Sequence, residues 1–190
     1  MLTARPLADA PTAAFEPPVL ADVIAAIHTH RPPVVFAPHV ETSAGMVLPD
    51  DWLRAVADAV HAVDGVFVLD CIASGTLWVD MASVGVDVLL TAPQKGWSGP
   101  ACAGVVLLSP SGLARVRATT SSSFAMDLGR WLGIMKAYED GGHAYHATMP
   151  TDAIAEFHSA VQATAAFGFD AARNAQLELG ARVRALLAEH

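Results

Sequence analysis

Short apolar runs and longer stretches of helical periodicity alternate along the first two-thirds of this chain. Val19, Leu20, Val23, Ile24 and Ile27 recur at helical spacing within residues 18–30, which predicts an amphipathic helix. Pro32-Pro33 ends it, because proline has no N–H to give and restricts the residue before it. Val34-Val35-Phe36-Ala37 follows, short and wholly apolar, as expected of a strand covered on both faces. Pro49-Asp50-Asp51 reads as a helix start with acidic groups in the first turn. Leu53, Val56, Val60 and Val63 form its stripe and Gly65 stops it. Val66-Phe67-Val68-Leu69, Val86–Leu90 and Gly104–Leu108 are three further apolar runs. Strands spaced by helices predict an α/β fold, a mostly parallel sheet with helices on both faces. From Asp127 onward the pattern is helical only, over 127–140, 151–167 and 169–189, after a hydroxyl-rich loop at Thr119–Ser123.

With 190 residues, the chain is long enough for one well-buried domain. Hydrophobic residues make up 53%, charged residues 16%, and the mean hydropathy is +0.40, which excludes disorder. The longest apolar runs fall short of the roughly 20 residues of a membrane-spanning helix. No secretory signal is read at the N-terminus. The net charge of −8 argues against nucleic-acid and anionic-membrane partners, which want clustered positive charge. Cys71 and Cys102 are too few for a disulfide framework and read as buried structural thiols in a cytoplasmic protein.

In open α/β sheets, ligands bind beyond the carboxyl ends of the strands. Three polar clusters fall there: His39–Gly45 after the first strand, Asp70 after the second and Thr91–Trp97, with Lys95, after the third. The chain has only two lysines, Lys95 and Lys136, and Lys136, near Arg130 and Glu139, reads as a surface charge. A lysine and an aspartate on neighbouring strand ends suit pyridoxal 5′-phosphate (PLP), which takes a lysine for its Schiff base and an acid for its ring nitrogen. The lysine, once freed, can act as a general base.

His39-Val40-Glu41-Thr42-Ser43-Ala44-Gly45, Leu69–Ser74, Thr91–Trp97 and Ala144-Tyr145-His146-Ala147-Thr148-Met149-Pro150, in that order, resemble the class V (fold type I) PLP-dependent aminotransferases, in particular the alanine–glyoxylate and serine–pyruvate group. The resemblance covers nearly the whole chain. It implies transamination between a small amino acid and a 2-oxo acid such as glyoxylate or pyruvate. It makes Lys95 the Schiff-base lysine and Asp70 the partner of the ring nitrogen. Gln94 and Thr42 would contact the ring substituents and Ile72 would pack on a ring face. Tyr145 and Thr148 would reach the phosphate of a neighbouring subunit's cofactor, which implies a homodimer. His39, Glu41 and Ser43 would fix the loop presenting Thr42. Residues 1–168 would be part of the cofactor-binding large domain, and 169–190 a helix leading toward a small domain. The family's Gly-rich phosphate turn, its stacking aromatic and its carboxylate-binding arginine find no counterpart here, so a piece of a longer protein is expected.

Other readings stand beside this one. A PLP lyase or desulfurase shares the fold, although desulfurases want a mobile cysteine loop. A non-catalytic domain that only assembles with a partner chain would expose large apolar patches. A flavodoxin-like small-ligand binder would use the same sheet edge without a covalent cofactor. Short His spacings at His39/Glu41 and His143/His146 reach no full ligand set, so no metal is expected. Trp78 and Trp97 read as packing residues.

Overall fold

The computed structural model describes residues 2–189. A short antiparallel pair, β1 (Arg5–Pro6) and β2 (Phe15–Glu16), precedes α1 (Leu20–His30) and β3 (Val34–Pro38). A second small pair, β4 (Val40–Glu41) and β5 (Met46–Val47), leads to α2 (Asp50–Ala62) and β6 (Val66–Asp70). One turn of helix, α3 (Met81–Val84), connects to β7 (Val88–Thr91), which is followed by β8 (Val105–Leu108) and α4 (Pro110–Arg117). Three helices complete the chain: α5 (Leu128–Glu139), α6 (Thr151–Phe167) and α7 (Phe169–Ala188).

The central sheet has the order β3-β6-β7-β8. β3, β6 and β7 are parallel, with Pro38 opposite Asp70 and Asp70 opposite Leu90. β8 runs antiparallel to β7, pairing Leu89 with Leu107. The cause is the connection. Parallel neighbours need a crossover segment, which α2 and α3 supply, whereas residues 92–104 between β7 and β8 contain no helix.

Helical periodicity and strand alternation meet in one core. Leu53, Val56, Ala57 and Val60 of α2, with Val23 and Ile27 of α1, bury against Phe67 and Leu69 of β6. Burying a side chain of this size stabilises by about 1.5–3 kcal/mol. Coverage of the two faces is unequal. The opposite face carries α4 at one end, where Gly112 lies against Asp87 and Val88, while Val34 and Phe36 of β3 remain 54% and 57% exposed.

The third strand starts at Val88 rather than Val86, because Asp87 is turned inward as a structural acceptor. Its buried carboxylate accepts from Phe67 N–H at 2.8 Å, from His61 Nε2 at 2.9 Å and from the Ser111 hydroxyl. Asp87 thereby ties α2, β6 and the start of α4 to one point. Cys71 is buried as expected, but Cys102 is only half-buried. No described helix is long and apolar enough to cross a membrane.

Candidate active site

Asp70 is the last residue of β6, and the sheet ladder continues past it on both sides. His39 N–H donates to the Asp70 carbonyl at 2.8 Å, and Cys71 N–H donates to the Leu90 carbonyl at 2.8 Å. Its side chain forms a tight turn of its own, with Oδ1 accepting from Ile72 N–H at 2.9 Å. Asp70 Oδ2 has no protein donor among the described residues. The carboxylate is half-buried, held at a fixed place with one oxygen free.

Lys95 sits on the turn that follows β7. Ala92 and Pro93 are buried at its base, while Gln94 and Lys95 are exposed. Ser98 N–H donates to the Lys95 carbonyl at 3.1 Å and Gly99 N–H to the Pro93 carbonyl at 2.8 Å. The Lys95 ε-amine makes no hydrogen bond or ion pair among the described residues. Lys136, by contrast, is engaged with Asp140 at 2.7 Å on the exposed face of α5.

Two glycines bring the turn after Asp70 against the turn carrying Lys95. Gly75 has φ +62°, in the left-handed region that glycine enters without strain, and its carbonyl faces Gly96. A Cβ on Gly96 would lie 2.0 Å from that oxygen, so no larger residue fits without moving one turn. The sequence places Asp70 and Lys95 on neighbouring strands; this backbone contact locks the loops behind them together.

The Thr42 loop is held from behind. His39 is buried, and its Nδ1 shares a 2.7 Å hydrogen bond with Ser74 Oγ, on the turn that follows Asp70. Burial pushes the His39 imidazole below its usual value, with the Asp50 charge opposing. Ser43 donates to Glu41 Oε1 through its N–H at 3.0 Å and its hydroxyl at 2.5 Å, and these bonds hold the Glu41 carboxyl below the usual carboxylate range. Thr42 is exposed between them and Ile72 is half-buried beside Asp70. Tyr145 and Thr148 lie elsewhere, on the segment between α5 and α6. Both are exposed, their hydroxyls 3.1 Å apart, and neither is hydrogen-bonded to the Asp70 or Lys95 loops.

The periodicity of α7 gives no sign that it grips the turn after Asp70. Gln176 Oε1 accepts from Thr76 N–H at 2.6 Å and from Thr76 Oγ1 at 2.8 Å, while its Nε2 donates to the Ser74 carbonyl at 3.3 Å. Trp78 Nε1 donates to the Phe169 carbonyl at 3.0 Å. Trp78 and Trp97 do pack, their ring centroids 4.8 Å apart, with Phe169 edge-on to both. A glutamine in mid-helix carries no sequence signal for such a role.

No protein-family model matches the chain. It is 33% identical over 123 residues to alanine–glyoxylate aminotransferase 1 of Saccharomyces cerevisiae, covering 61% of this chain and 31% of that protein. It is 29% identical over 136 residues to the alanine–glyoxylate aminotransferase of Callithrix jacchus, covering 69% of this chain and 31% of that one. The chain thus spans about a third of the length of the curated relatives it matches. Among solved structures, alanine–glyoxylate aminotransferase of Nostoc sp. superposes with a TM-score of 0.70 at 22% identity, over 81% of this chain and 40% of that one. Pyridoxamine–pyruvate aminotransferase of Mesorhizobium loti gives 0.68 at 18% identity, over 81% and 38%. The shared sheet gives this chain the fold of these aminotransferases, and over 61–69% of its length its sequence is similar to alanine–glyoxylate aminotransferases.

Proposed function

We propose that this protein takes part in PLP-dependent transamination between a small amino acid of the alanine or serine type and a 2-oxo acid such as glyoxylate or pyruvate. The observation that carries the reading is the Gly75–Gly96 contact, which joins the turn after Asp70 to the turn bearing Lys95. The donor set suits PLP. Asp70 offers one free carboxylate oxygen at a pinned position, and Lys95 offers an uncommitted amine on an adjoining turn.

In this reading the Lys95 amine makes the covalent attachment, and Asp70 holds a proton on the ring nitrogen. When bound, PLP supplies an electron sink for the bonds at the amino acid's α-carbon. Lys95, released from attachment, moves the α-proton as general base and acid. Ile72 packs on one ring face, and Gln94 and Thr42 contact the ring substituents. His39 holds the Thr42 loop to the turn after Asp70 through Ser74. Tyr145 and Thr148 serve the phosphate of a second copy's cofactor, so the working unit is a homodimer. Exposed apolar residues on the three C-terminal helices, such as Met135, Leu179 and Leu187, favour such association, and a monomer in sedimentation would count against it. Residues 1–168 act as part of the cofactor-binding large domain, and α7 leads away from it. Two unpaired thiols fit a cytoplasmic setting.

Borohydride reduction with PLP, followed by peptide mass spectrometry, tests the attachment. The expected result is a stoichiometric phosphopyridoxyl adduct on Lys95 and none on Lys136. Equal labelling of both lysines, or of neither, overturns the assignment. Lys95→Ala, shown folded by circular dichroism, should take no adduct.

A further inference from the structure

Gly75 is enclosed on two sides. Its carbonyl faces Gly96, the neighbour of Lys95, and a Cβ on Gly75 itself would run into the Gln176 amide. The turn 74–76 therefore lies between the Lys95 turn and α7. The same turn reaches the Thr42 loop, because Ser74 Oγ shares its 2.7 Å hydrogen bond with His39. Three pieces of the candidate site thus meet on it: Asp70 through the chain, Lys95 across the glycine contact, and Thr42 through His39.

What holds that turn from outside is α7. Phe169, Ala172 and Gln176 fall on one face of the helix, at spacings that follow its 3.6-residue repeat. The Phe169 carbonyl accepts from Trp78 Nε1 at 3.0 Å, and the Ala172 carbonyl lies 3.0 Å from the Thr76 hydroxyl. Gln176 adds a side-chain amide that accepts from Thr76 N–H at 2.6 Å and donates to the Ser74 carbonyl at 3.3 Å. Bonding in both directions fixes the orientation of the turn as well as its distance from the helix. We propose that Gln176 is a positioning residue for the Lys95 amine, an assignment that rests on the PLP reading. Acting through the turn 74–76, it sets where the Lys95 turn stands beside Asp70 and the Thr42 loop.

Two variants shown folded by circular dichroism test this. Gln176→Met keeps the length of the side chain and removes its hydrogen bonds, whereas Gln176→Glu keeps the accepted bonds and loses the donated one. The Ser98 and Gly99 N–H groups close the Lys95 turn, donating to Lys95 and Pro93. Their exchange should accelerate about fivefold or more in Gln176→Met, although neither bonds to Gln176. In borohydride reduction with limiting PLP, the ratio of Lys95 to Lys136 labelling should fall by a similar factor, and Gln176→Glu should keep most of it. Faster exchange confined to Thr76, or an unchanged labelling ratio in Gln176→Met, overturns the proposal and leaves Lys95 as the attachment point. Equal loss in the two variants also overturns it, because the accepted bonds would then not matter. No Lys95 adduct in the unaltered protein sinks the PLP reading and this proposal together.

Discussion

Gly96 stands so close to Gly75 that a methyl group on it would sit 2.0 Å from the Gly75 carbonyl oxygen. The neighbour is backbone, which cannot swing aside as a flexible side chain would. Gly96→Ala must therefore pry the two turns apart, at a cost of about 1–3 kcal/mol for forced overpacking. Urea denaturation should show that loss. Separated turns should also cost the borohydride adduct on Lys95 its selectivity over Lys136, because Lys95 is the next residue. Unchanged stability would mean that the contact is not made in solution.

Gln176 fixes the other side of the same turn. Its amide accepts twice from Thr76 and donates once to Ser74, bridging about a hundred residues of sequence. Gln176→Ala leaves part-buried groups of the turn unpaired, which costs about 1–3 kcal/mol. Hydrogen exchange at the Thr76 amide should accelerate, while exchange in β6 should hardly change. The helix itself should persist, since alanine is a better helix former than glutamine.

Asp70→Asn separates charge from shape. An amide oxygen can still accept from Ile72 N–H, so the turn should keep its form and the melting temperature should change little. The negative charge is lost. A charge-assisted hydrogen bond is worth about 1.5–3 kcal/mol, so PLP affinity should fall by about tenfold to a hundredfold in an absorbance titration. Undiminished affinity would remove Asp70 from the ring nitrogen.

Much of this framework was legible from the residues alone. Uniform apolar runs gave the strands at Val34, Val66 and Val105, and the periodicity of 151–167 matches α6 at both ends. What escaped has physical causes. β8 runs antiparallel because of what its connection lacks, and strand composition does not encode direction. Asp87 displaced the start of β7 by turning its carboxylate to Phe67 N–H, a tertiary bond invisible to local pattern. Asp70 and Lys95 stand out in the sequence because strand ends concentrate chemistry. The partners that lock their loops, Gly75, Gly96 and Gln176, act through contacts distant in sequence. Tyr145 and Thr148 were singled out by resemblance alone, and among the described residues their hydroxyls hydrogen-bond only to each other.

Asp87 gives the fold an acid limit. Burial alone would raise its carboxyl, but hydrogen bonds from Phe67 N–H, Ser111 and His61, with the His61 charge, outweigh it and hold the group below the ordinary carboxylate value. A carboxyl with a depressed folded-state pKa stabilises the fold fully above its unfolded value, near 3.9. That stability is lost as pH falls through the lower folded value. Asp87→Asn should cost about 1–3 kcal/mol at pH 7 and flatten the fall in stability below about pH 4. Denaturant titrations across that range check both.

His39 acts in a higher window. Burial lowers its folded-state pKa, with Asp50 only partly opposing, so between that value and the unfolded value near 6.5 the unfolded chain binds the proton and the folded chain does not. More protons on the unfolded state mean that stability rises with pH. Stability should therefore decline as pH drops below about 6.5, well before Asp87 contributes. His39→Asn can preserve a hydrogen bond to Ser74 while removing the titration. In that variant the decline beginning near pH 6.5 should vanish and the acid arm below about pH 4 should remain. If the variant keeps the full decline, another group titrates there and His39 is not buried in neutral form.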